Sequence, residues 1–140
     1  MKINIYLMQE VLFYKTFGHF IIQLYELYNQ QICIICNNNE QVELLDNLLW
    51  TFTQLSFVPH ATTEDPVPFK HIPIILTNKR YIESRIPVFM SYMLAQKLIK
   101  QYERVFIVDN HLVKINNIKD LYLDKVQYHV YVQDEMGKWK

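Results

Sequence analysis

Cys33 and Cys36 stand in a Cys-Ile-Ile-Cys run, Trp50 and Phe57 bracket a spacer that leads into Pro59-His60, and Lys79-Arg80 precede Arg85 after an apolar stretch. Each pattern has a chemistry. A Cys-x-x-Cys pair does redox work when its sulfurs sit at a helix start with a lowered pKa, and holds zinc when two further ligands stand at short spacing. Neither context surrounds Cys33 and Cys36. Their run is strand-like, and residues three apart on a strand point to opposite faces, so both thiols read as core. Trp50 and Phe57, separated by a short turn, could form two walls of an aromatic pocket, although each alone is equally an ordinary boundary residue. His60 reads as structural, because no Cys or carboxylate stands beside it at metal spacing. The histidines at 19, 60, 71, 111 and 129 show no paired spacing. Lys79, Arg80 and Arg85 read as a solvated turn with partner binding as the alternative, and Lys97, Lys100 and Arg104 as a solvated face.

Several chemistries are disfavoured. The only glycines are Gly18 and Gly137, and the first strand-to-helix turn, Met8-Gln9-Glu10-Val11, has none. A phosphate-cradling loop is therefore missing. No serine sits in a nucleophile elbow. Catalysis, a metal and a cofactor are all unexpected. The formal net charge is +0, which argues against coating nucleic acid by electrostatics, a local basic patch aside. The N-terminus lacks an apolar run long enough for a signal peptide or a membrane span, so a soluble cytoplasmic protein with reduced cysteines is expected.

The elements that must position these residues follow in chain order. Ile3–Met8 reads as a strand. Residues from Val11 to Asn29 read as a helix with Phe13, Phe17, Phe20, Ile21, Leu24 and Tyr28 in one stripe. Ile32–Cys36 is continuously apolar, as a strand covered on both faces should be. A second helix follows, capped by Asn38, with Glu40 in its first turn and Val42, Leu45, Leu49 and Phe52 on one face, Leu44 and Leu48 beside them. Residues Ala61–Phe69 read as a loop. Ile72–Thr77 reads as a strand placed at an edge, or begun, by Pro73. Ile86–Tyr92 is a further strand candidate, and Ser91 caps a helix reaching Tyr102. Arg104–Asp109 and Tyr128–Gln133 read as strands, with a short helix at 116–126 between them. This βαβα beginning predicts one α/β domain over 1–140 with a parallel sheet.

The stretch Cys36 to His60 resembles the chi subunit of bacterial DNA polymerase III holoenzyme. In that family a strand ends in Cys and a helix carries Leu-Asp near its middle and Leu-Trp near its end. Ser-Phe-Val-Pro-His then follows. Cys36, Leu45-Asp46, Leu49-Trp50 and Ser56-Phe57-Val58-Pro59-His60 match in register. Lys79-Arg80 resembles the family's basic turn, with Leu76-Thr77 in place of Trp-Pro, and Trp139-Lys140 resembles its ending.

The resemblance implies a three-layer α/β fold, Rossmann-like without a nucleotide motif, whose central sheet is mostly parallel (mixed) with helices on both faces. It implies a non-catalytic subunit that pairs with the psi subunit and so joins the clamp loader. It also implies binding of the acidic C-terminal tail of single-stranded DNA-binding protein, and in some bacteria a DNA repair helicase. Contact with DNA would be indirect. Such a tail needs an aromatic pocket for its terminal phenylalanine and cations for its carboxylates. The family places the Trp50 and Phe57 positions in that pocket and supplies cations from a helix near the C-terminus. This chain departs there: Asp120 and Asp124 stand beside Lys119 and Lys125. The tail-binding candidates are thus Trp50, Phe57, Lys119, Tyr122 and Lys125, with Lys114 a further cation. A nucleotide-binding α/β enzyme and a direct single-strand binder are the alternative classes.

Overall fold

The computed structural model describes residues 2–51, 60–62, 72–78, 86–98, 102–113 and 127–140. Strand β1 (Lys2–Met8) runs through a 3₁₀ turn (Glu10–Leu12) into helix α1 (Phe13–Tyr28), followed by β2 (Ile32–Ile35) and α2 (Asn39–Thr51). Then come β3 (His60–Thr62), β4 (Ile74–Thr77), β5 (Ile86–Phe89), α3 (Tyr92–Leu98), β6 (Arg104–Asn110) and β7 (Gln127–Val132). The strands form one 7-stranded sheet in the order β3-β4-β2-β5-β6-β1-β7. The three-layer α/β expectation holds. Every strand pairing is parallel. The sheet expected as mostly parallel (mixed) is thus parallel throughout its described strands, and the one antiparallel pairing among the described residues, the bridge between Gln133 and Trp139, lies outside it.

Local signals set most boundaries. The Asn38 side chain accepts the Gln41 N–H at 2.8 Å, capping α2, and Ser91 Oγ accepts the Leu94 N–H at 3.0 Å, capping α3. Asn29 ends α1 in the left-handed conformation (φ 47°) and donates its N–H to the Tyr25 carbonyl, a role Asn tolerates in place of Gly. Pro73 lies just before β4 rather than within it, and its carbonyl accepts the Ile32 N–H at 2.8 Å. Pro87 lies inside the central strand β5. Met90 donates to the Ile35 carbonyl, so by alternation Pro87 turns its nitrogen toward β6, where pairing begins only at Val88. No β6 ladder bond needs the missing N–H.

Two cores sandwich the sheet. Helices α1 and α2 cover one face through Phe17, Ile21, Leu24, Leu45 and Leu49, packed on Ile34, Leu76, Val88 and Phe106. Helix α3 covers the other through Ala95, against Ile5, Ile35, Phe89 and Ile107. Handedness explains the split. The chain moves from β1 to β2 to β3 in one direction across the sheet and from β5 to β6 in the other, so right-handed crossovers place the helices on opposite faces. Cys33 belongs to one core and Cys36 to the other. Burial pushes both thiols up to about 12, so neither is a thiolate near neutral pH.

Three expectations change. Ala61 and Thr62, read as the start of a loop, form β3 with His60 at the sheet edge. Its signal is too short to read, since three residues beginning with His carry no period. Arg104 starts a strand, as read, but does not join a solvated face: it is half-buried and lies 4.9 Å over the Tyr28 ring. Leu44, read beside the buried stripe of α2, is 59% exposed. Phe52, the Lys79-Arg80 turn with Arg85, Lys100 and the helix expected at 116–126 lie outside the described residues.

A buried amide pair ties the end of β7 to the start of α1. Gln133 Oε1 accepts the Gln9 N–H at 2.9 Å, Gln9 Nε2 donates to the Gln133 carbonyl at 2.8 Å, and Gln133 Nε2 donates to Thr16 Oγ1 at 3.0 Å. Replacing Gln133 with Leu strands the Gln9 N–H and Thr16 Oγ1 without opening a cavity, while the bond to the Gln133 backbone carbonyl remains. We expect a loss of about 1–3 kcal/mol in urea unfolding. A change within about 0.5 kcal/mol would show that water satisfies them equally well.

Candidate functional site

Helix α2 is built to end on a tryptophan. Its apolar stripe buries Val42, Leu45, Leu48 and Leu49, which turns Trp50, the residue after the last buried position, outward. Trp50 is 57% exposed, as a pocket wall requires. The ring is not free to swing. It rests at 4.4 Å centroid distance on the imidazole of His60, at an interplanar angle of 55°. His60 begins β3 and its side chain is fully covered. Asp46, one helical turn before Trp50, places Oδ1 3.6 Å from His60 Nε2. Carboxylate, imidazole and indole thus form a stack in which the outer ring alone faces solvent widely.

The helix end is tied down beside that stack. The Tyr14 hydroxyl of α1 hydrogen-bonds the Thr51 hydroxyl, which in turn reaches back to the Asn47 and Leu48 carbonyls at 3.1 Å each. Tyr14 is itself 51% exposed, so a second aromatic ring stands open near the same helix end.

Of the residues expected to bind a peptide tail, the described structure places Trp50. Phe57, Lys114, Lys119, Tyr122 and Lys125 lie outside the described residues. Sequence reading did not single out Asp46 as a support for His60. The signal was present: Asp46 and Trp50 stand four apart and share a helix face.

The crevice at the carboxyl ends of the strands, where α/β proteins bind nucleotides, is built differently here. It measures about 250 Å³ and is lined by Met8, Phe13, Met90 and Val108 with the carboxylates of Glu10 and Asp109. Asp109 accepts the Tyr92 N–H at 3.0 Å and so fixes the start of α3. In the β1–α1 turn, the Gln9 amide that could face a phosphate is donated to Gln133 instead. Among the described residues, no cluster of three or more His, Cys, Asp or Glu could hold a metal. No helix among them is long and apolar enough to cross a membrane.

The fold and site define a small parallel α/β domain with acidic residues at its strand-end crevice and an exposed indole near the end of α2. A family model described as DNA polymerase III chi subunit, HolC, matches residues 8–122. The chain belongs to that family. A relative from Rickettsia prowazekii (strain Madrid E), named probable DNA polymerase III subunit chi, is 24% identical over 153 aligned positions, which cover 99% of this chain and 90% of that protein.

Proposed function

We propose that this chain is a non-catalytic accessory subunit linking the clamp loader, through a psi subunit, to the C-terminal tail of single-stranded DNA-binding protein during replication. One observation carries the tail-binding part: Trp50 is open to solvent yet held by His60. A rigid, exposed indole loses little entropy when it meets a ligand ring. In this reading Trp50 and Phe57 wall the pocket for the terminal phenylalanine, and Lys119 and Lys125, with Tyr122 beside them, receive the carboxylates. A DNA repair helicase is a further partner of the same class. The carboxylate-lined strand-end crevice supports a role without nucleotide chemistry, because phosphate would meet like charge there.

Titration of the full chain with a peptide ending in the tail of the organism's own single-stranded DNA-binding protein tests the reading. Affinity should fall as salt rises, since in this reading lysines meet an acidic peptide. Lys119→Glu should weaken binding more than the same change at Lys114 or Lys125. An affinity unchanged from low to high salt would refute the cationic half of the site.

A further inference from the structure

We propose that the groove between α1 and the β1–β7 corner binds a short run of single-stranded nucleic acid directly. This adds a weak direct contact to the indirect one expected through a partner. It does not depend on the tail-binding reading, because it uses none of that reading's residues.

The groove follows from register. β7 is the outermost strand beside β1, and Lys2, Asn4 and Tyr6 stand opposite Gln127, His129 and Tyr131. Strand alternation puts all six on one face. That face is the α1 side, since Tyr6 packs on Phe20 of α1 at 4.7 Å. The helix covers β1 but does not bury β7: Gln127 and His129 are exposed and Tyr131 is only partly buried. The corner is therefore an open, polar-aromatic strip rather than core.

Its rings are fixed. Tyr131 stacks on Tyr6 at 4.9 Å and 16°, and Trp139 meets Tyr6 edge-on at 5.6 Å and 86°. The bridge to Gln133 holds Trp139 in place, and the indole remains 39% exposed. Along the other wall, Lys15, His19 and Gln23 are spaced four apart, hence in one row of α1. Beneath Trp139 the groove deepens to a cleft of about 330 Å³, and no Asp or Glu lines it. Row and strip are both roughly 12–13 Å long, enough for a few nucleotides.

The arrangement favours a polymer of rings and phosphates. Aromatic faces repeat along the strip at Trp139, Tyr131 and His129. The two lysines mark its ends: Lys15 stands by Trp139, and Lys2 begins β1 at the level of Arg104, against which the end of α1 packs through Tyr28. Stacking on aromatic side chains accepts any base, and lysines meet the backbone. A peptide carboxyl terminus offers one charge and one ring, and would leave the far half of the strip unused. Duplex DNA hides its base faces in its own stack, so single strands alone can use these rings.

The test uses the full chain with Trp50→Phe, which leaves Trp139 as the sole tryptophan. Its fluorescence is followed during titration with oligothymidylate of about 12 nucleotides. We expect saturable quenching. With two phosphates neutralised, affinity should fall about sevenfold between roughly 50 and 200 mM salt. Lys15→Glu and His129→Ala, both at exposed positions where the fold tolerates change, should each weaken binding about fivefold or more. Absence of quenching, equal binding of a duplex of the same length, or wild-type affinity in both variants would overturn the proposal. So would displacement of the oligonucleotide by an acidic, phenylalanine-ending peptide, which would assign the groove to a peptide.

Discussion

Trp50→Ala removes most of the affinity for the acidic tail, about thirtyfold or more, and leaves the domain folded. The affinity part follows from what an aromatic anchor contributes at a small interface, about 2 kcal/mol or more on truncation. The stability part follows from exposure. Trp50 is 57% exposed and, among the described residues, its ring packs against His60, so its removal opens a dent at the surface and no core cavity. We expect the urea midpoint to move little, by an amount corresponding to roughly 1 kcal/mol or less, mainly from wetting His60 and its contact with Asp46. Peptide titration and urea unfolding of the same preparation separate the two effects. Unfolding of the variant would make Trp50 a structural keystone. Full affinity in a folded variant would place the tail elsewhere.

Phe106→Ala destabilises the protein by about 3–5 kcal/mol, the cost of a large cavity in a layer that cannot collapse. Phe106 is 1% exposed on β6 and lies between two rings of α1, with Phe20 at 6.3 Å and Tyr28 at 5.8 Å. It is where the first helix locks onto a strand late in the chain. A domain of this size has about 5–15 kcal/mol to lose, so the variant should be close to unfolding at moderate urea or elevated temperature. A loss below about 1 kcal/mol would mean that α1 does not seat on the sheet through this contact. Because Phe106 touches neither Trp50 nor His60, tail affinity measured on the folded fraction should stay near wild type, which distinguishes it from the first variant.

The sequence by itself determined the elements and the class of fold. Strands covered on both faces appear as unbroken apolar runs, so β2, β4, β5 and β6 were readable from Ile32–Ile35, Ile74–Thr77, Ile86–Phe89 and the middle of Arg104–Asn110. Caps at Asn38 and Ser91 are local hydrogen bonds within four residues, and they were readable for the same reason. The opposite burial of Cys33 and Cys36 followed from strand alternation alone. Exposure of Trp50 was readable too, because the helical stripe left it outside. Tertiary structure decided what depends on distant partners. Nothing local says that β1 lies between β6 and β7, or that three residues beginning at His60 add an edge strand. The imidazole that steadies Trp50 arrives from ten positions away, and the amide closing the β1–α1 turn from Gln133, 124 residues on. Such contacts leave no period in the sequence. They exist because the parallel sheet runs from β1 across to its β3 edge and back to β7, which brings distant segments to one corner.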